Sequence, residues 1–85
     1  MEYVAVAFRL RSETVAFSRF LSKNGIMNEI VNTPKSAGVG CGLSVKVSPS
    51  MFMAVKRALF SVSTKSFAGF FLVSLKRGEV SVKTL

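Results

Sequence analysis

The chain carries one cysteine, Cys41, set between two glycines in the stretch "NTPKSAGVGCGLSVKVSP", residues 32 to 49. A thiolate is its own nucleophile, so a sulfur in such a place can enter exchange chemistry without a general base. Gly38, Gly40 and Gly42 allow positive φ and close backbone approach. Successive amides in a loop of this kind form a concave anion site, and Lys35 and Lys46 add positive charge along the chain. Both features favour the thiolate over the thiol. The competing reading is inert: a lone cysteine is commonly a small packed hydrophobe, and flanking glycines can mark only a tight hairpin. A nucleotide-phosphate cradle is discounted, because "GVGCG" lacks both the Walker spacing and the full dinucleotide fingerprint.

The rest of the composition removes most other chemistry. There is no histidine, and the four acids, Glu2, Glu13, Glu29 and Glu79, are scattered singly. A structural zinc site takes about four N or S ligands, so no metal is expected. A Ser-His-Asp triad, a Cys-His pair and a paired-carboxylate site are equally out of reach. Little ordinary enzymology remains possible, and no cofactor is implied. Twelve Lys and Arg against four Glu give a net charge of +8, which suits an acidic protein or nucleic acid as partner. The longest apolar block, Phe67 to Val73, falls short of the roughly 20 residues of a membrane helix. The N-terminal "MEYVAVAFRLR" lacks the positive flank and cleavage site of a signal peptide. The expectation is a cytoplasmic chain with no membrane attachment.

The elements that must hold the cysteine follow from hydrophobic periodicity. "EYVAVAFRL" alternates, with Val4, Val6, Phe8 and Leu10 on one face, and reads as a strand. A helix over residues 12 to 24 follows, with Ser12 as N-cap, an apolar stripe of Val15, Ala16, Phe20 and Leu21, and "NG" at 24 to 25 as its stop. "IMNEIVNT" suits an edge strand. "LSVKV" places Leu43, Val45 and Val47 inward and Ser44 and Lys46 outward. Ser48-Pro49 opens a second helix over residues 49 to 62, whose buried stripe is Met51, Phe52, Val55, Ala58, Leu59 and Val62. "FAGFFLVSL" is the last main strand, and residues 76 to 85 form either an extra strand or a flexible tail. The order β-α-β-β-α-β over residues 1–85 predicts a single α+β domain of ferredoxin-like type, a four-stranded antiparallel sheet with both helices on one face. The opposite face is then uncovered. Phe70 and Leu72 beside Ala5 and Ala7 would make it partly apolar and suited to homodimerisation.

Thr33-Pro34-Lys35, then Cys41-Gly42-Leu43 with Cys41 seven positions beyond Pro34, resembles the loop of the small bacterial selenium/sulfur carrier-like domains. The likeness extends through "FRLRSETVAFSRFLSKNGI" and "SPSMFMAVKRAL", from about Val4 to Val73. Asn32 stands where that family usually has proline, Lys35 where it has arginine, and Gly38, Val39 and Gly40 where it has serines. Lysine keeps the charge but loses the two-pronged guanidinium. The resemblance implies that Cys41 carries sulfur or selenium as a persulfide-type adduct and hands it to an acidic partner protein. Thr33, Pro34, Lys35, Gly40, Gly42 and Lys46 would then support the thiol. The rival reading is a basic nucleic-acid or protein-interaction module. "KSFAGFFLV" is superficially similar to the aromatic strand motif of RNA-recognition domains, although it lies on the last strand and Ser66 replaces the motif's glycine. Phe67, Phe70 and Phe71 are expected in the core instead. A redox-sensing thiol is a third reading and would need a resolving cysteine from another chain.

Overall fold

The structure, a computed structural model, describes all 85 residues. The first strand, β1 (Glu2–Phe8), sits third among five and sets the architecture. It pairs antiparallel with β3 (Leu43–Val47) on one side and β4 (Phe67–Lys76) on the other. β2 (Glu29–Asn32) pairs only with β3 and forms one edge, where its Asn and Glu residues meet water. β5 (Glu79–Thr84) pairs with β4 and forms the other edge, giving the order β2-β3-β1-β4-β5. The expectation of four strands is corrected to five. Arg77 and Gly78 make a two-residue hairpin with φ of 49° and 79°, which matches the twist of the flanking strands. Val73 then faces Val82 and Leu75 faces Val80, so the last residues gain a ladder and apolar partners.

Both helices pack on one face of this sheet. Phe17 and Leu21 of α1 (Arg11–Lys23), and Val55 and Leu59 of α2 (Phe52–Ser61), share a cluster with Val4, Val6, Phe8, Val45, Val47 and Phe70. The stripe of α1 is rotated from the sequence reading. Thr14, Phe17 and Leu21 are buried, spaced three and four apart, while Ala16 is exposed. The second stripe holds as expected, with Met51, Phe52, Ala58 and Val62 packed against the same cluster. The turn Pro49–Met51 is 3₁₀ and leads directly into α2.

The opposite face differs from expectation in two ways. Ala5, Ala7, Phe71 and Val73 form a second buried cluster there, so Phe71 and Val73 occupy it rather than Phe70 and Leu72. A β-bulge explains the change: Phe8 pairs with Phe67 but Ala7 with Gly69, which inserts one residue into β4. Phe67 and Phe70, three apart, therefore both face the helices, with ring centroids 4.8 Å apart. Nor is this face uncovered. Ala37 and Val39, from the loop between β2 and β3, lie against the cluster together with Tyr3, Ala68 and Val82. β1 is consequently buried on both sides, with Val4 to Phe8 each no more than 1% exposed.

The junction after β1 is tied by Ser66 rather than by a cap within the helix. α1 starts at Arg11 after Leu10, whose side chain cannot cap, and Ser12 lies inside the helix. Ser66 accepts the Arg9 amide on its carbonyl at 2.7 Å and the Leu10 amide on its hydroxyl at 3.1 Å. Its hydroxyl and amide both donate to the Glu13 carboxylate, and the Lys65 amide joins them at 2.9 Å. The Ser66 hydroxyl first, and the Lys65 amide next, hold the Glu13 carboxyl below its ordinary range. Ser66→Ala leaves the buried end of this network short of a donor and an acceptor, and should lower unfolding free energy by about 1–3 kcal/mol in urea titrations. Glu13 has its pKa depressed by folding, so its contribution is present above the unfolded value and lost as pH falls through the folded one. Glu13→Gln should therefore be less stable than wild type at neutral pH. Thermal melts against pH should show the gap closing below about pH 4.5.

Candidate functional site

Thr33 closes the stem of the cysteine loop. Its amide donates to the Gly42 carbonyl at 2.8 Å, and its hydroxyl pairs with that of Ser44 at 2.6 Å. Ser44 is fully buried although the alternation of its strand points it away from the helices. It stands opposite Ala7 and lies on the second face, where the loop passes. Pro34, with no amide hydrogen, ends the ladder and starts a single 3₁₀ turn, Lys35–Ala37. The Ala37 and Gly38 amides close that turn on the Pro34 and Lys35 carbonyls, and Gly38 stops it in the left-handed conformation. This carries Ala37 and Val39 across the sheet toward Phe71 and Val82.

The chain then returns to β1 through its closest approach. The Cys41 amide donates to the Phe8 carbonyl at 3.0 Å. At Gly40, where φ is +89°, a β-carbon would stand 3.0 Å from the Phe8 carbonyl oxygen and 3.6 Å from the Ala7 β-carbon. Only glycine fits there without moving backbone. The glycine beside the cysteine is thus required by the contact that anchors the cysteine.

Cys41 itself is half-buried. Its Sγ lies 3.7 Å from the Thr14 hydroxyl and 3.7 Å from the Leu43 carbonyl oxygen. Thr14 belongs to the first turn of α1 and is fully buried, and its hydroxyl also reaches the Leu10 carbonyl at 3.4 Å. The thiol is therefore held between the start of a helix and the start of a strand, with a rotatable hydroxyl on one side. That hydroxyl accepts a bond from an S–H and donates one to a sulfur anion, so it serves either state of the sulfur.

Thr33, Pro34, Lys35, Gly40 and Gly42 line one groove, together with Arg9, Gly38 and Val39. Lys46 is not brought there. It lies further along β3, its Nζ 5.1 Å from the centre of the Tyr3 ring, in a different groove with Glu2, Met27 and Glu29. Sequence reasoning missed Arg9, Thr14 and the Phe8 carbonyl. A signal for Thr14 was present, since 14, 17 and 21 share a helical face. Arg9 read only as a position within the first strand, which the structure ends at Phe8. A backbone carbonyl leaves no mark in a sequence. The aromatics of "KSFAGFFLV" belong to the core, with Phe70 at 8% and Phe71 at 6% exposure, so neither is free to stack on a base.

The family model described as "Putative Se/S carrier protein-like" matches residues 3–66, which run from β1 through the loop and α2 to Ser66. No curated protein and no solved structure matches the chain. No helix is long and apolar enough to cross a membrane.

The close approach at Gly40 is open to direct measurement. Gly40→Ala should cost about 1–3 kcal/mol through backbone strain and the carbonyl contact. Gly42→Ala, strained at φ +92° but facing open space, should cost less. Urea unfolding gives the order. Alkylation of Cys41 should also quicken in Gly40→Ala, because the loop must lift from Phe8.

Proposed function

This chain belongs to the Se/S carrier protein-like family over residues 3–66, and from that premise we propose that Cys41 carries a sulfur or selenium atom between partner proteins. The observation that carries the reading is the placement of the only cysteine: half-buried, on a loop fixed to Phe8 by its own amide, with the sulfur against a hydroxyl. In loading, the Cys41 thiolate attacks the terminal sulfur of a donor persulfide. A new S–S bond forms at Cys41, the donor's S–S bond breaks, and its electron pair leaves on the donor thiolate. Delivery is the same exchange run toward an acceptor thiol, and no oxidant or reductant is consumed. Selenium in the terminal position follows the same electron count.

Several features support a carrier over a switch. The chain has no second cysteine to collapse the adduct into an internal disulfide. A loop held at its stem by Thr33 and at its tip by Phe8 keeps the sulfur in one place for two successive partners. The net charge of +8 suits acidic donors and acceptors and steers their approach. Lys35, exposed in the groove beside Gly40 and Gly42, adds positive charge to the face on which an acidic partner would dock.

Intact mass of protein purified under mild, non-reducing conditions should show a fraction heavier by one sulfur or one selenium, absent from Cys41→Ser. Lys35→Ala should slow sulfur uptake from an acidic donor protein by roughly two- to fivefold, the size expected for one exposed cation at a docking surface. A thiol that takes up no sulfur from a donor persulfide, and whose loss costs only stability, would mark Cys41 as packing.

A further inference from the structure

We propose that the groove beside the cysteine loop is a binding site for a small oxyanion of the phosphate or sulfate class, independent of any sulfur transfer at Cys41. Three separate chain segments converge on it: Arg9 from the end of β1, Lys35 from the 3₁₀ turn, and the glycine run Gly38 to Gly42. Two of the eight lining residues are cations and none is acidic.

No acid lines the groove. Glu13 accepts from Lys65 and Ser66, and Glu2 accepts from Ser74. Glu29 and Glu79 lie on the two edge strands, β2 and β5, outside the groove. Arg9 and Lys35 have no carboxylate beside them in the groove, so their charge is open to an external anion.

The backbone adds donors. Within the loop the Thr33, Ala37, Gly38 and Cys41 amides bond to protein carbonyls, while those of Val39, Gly40 and Gly42 do not. Positive φ at Gly38, Gly40 and Gly42 is the backbone form in which adjacent amides make anion-binding concavities. A guanidinium, an ammonium and amides from different segments suit an anion that presents oxygens in several directions.

The lining also argues against a polymer. It contains no aromatic side chain, and Val39 is its one hydrophobic residue. A nucleic-acid strand held only through its phosphates would need a longer basic track than this groove offers.

The test is amide NMR titration with inorganic phosphate and with sulfate at constant ionic strength, using chloride as control. The Val39, Gly40 and Gly42 resonances should shift saturably with the oxyanions and not with chloride. Arg9→Gln and Lys35→Gln should each weaken binding about threefold or more. Arg57→Gln, an exposed cation on α2, should leave it unchanged. Cys41→Ser should bind as wild type does, which separates this site from the carrier reading: either can fail alone. Equal shifts with chloride, or undiminished binding by Arg9→Gln and Lys35→Gln, would overturn the proposal. So would a single-stranded oligonucleotide that binds these amides more tightly than phosphate, since the groove would then serve a polymer backbone.

Discussion

The hydrogen bond from the Cys41 amide to the Phe8 carbonyl joins the cysteine loop to the central strand. Phe8 is the last residue of the central strand, and its side chain is fully buried against Phe17 and Phe67. Its carbonyl is thus a fixed point. A loop bonded to it inherits that rigidity, which free loops of this length lack. The bond requires two backbones to approach within the space of a missing β-carbon, so Gly40 is a consequence of it. Ala7 beside it is small enough to let the loop settle.

The same contact links regions far apart in sequence. Ser66 holds Arg9 and Leu10, and so fixes the path by which the chain leaves Phe8 and enters α1. That path presents Thr14 to the cysteine sulfur. Thr33 meanwhile ties the stem of the loop to Ser44 and Gly42. The sulfur is therefore positioned by residues from β1, α1, β3 and the approach to β4, and none of these contacts depends on a long flexible side chain. The proposed carrier role would benefit from this arrangement. Exchange between thiols demands a near-linear attack geometry, and a mobile sulfur would lose part of its rate to orientation.

The loop also solves a packing problem. A sheet with both helices on one face leaves apolar residues on the other, here Ala5, Ala7, Phe71 and Val73. Laying Ala37 and Val39 over them removes that surface from water within one chain, at roughly 25 cal/mol per Å² of apolar area. Folding energy and site geometry thus come from the same segment. Loosening the loop from Phe8 would expose part of that second cluster as well as move the sulfur.

Hydrophobic periodicity and turn chemistry are local properties, and what depends on them was legible in the residues. The first four strands, both helices, the Asn24-Gly25 stop and the edge position of β2 all follow from neighbours a few residues apart. Cys41 stood out as the one thiol, and Thr33 to Lys35 through the resemblance of their loop to a known family. The rest was decided between distant segments. The bulge at Ala7 and Phe8 changed which phenylalanines face the helices, since one inserted residue reverses a period of two. Ser66 displaced the expected cap at Ser12, because a buried tertiary partner outcompetes a local one. Arg9 joined the groove and Lys46 left it for Tyr3, as the direction of β3 away from the loop required. The sequence by itself determined the elements and singled out the one thiol. Only the tertiary structure decided that this cysteine is anchored to a carbonyl of the central strand, because a backbone acceptor has the same chemistry at every residue and is selected by shape alone.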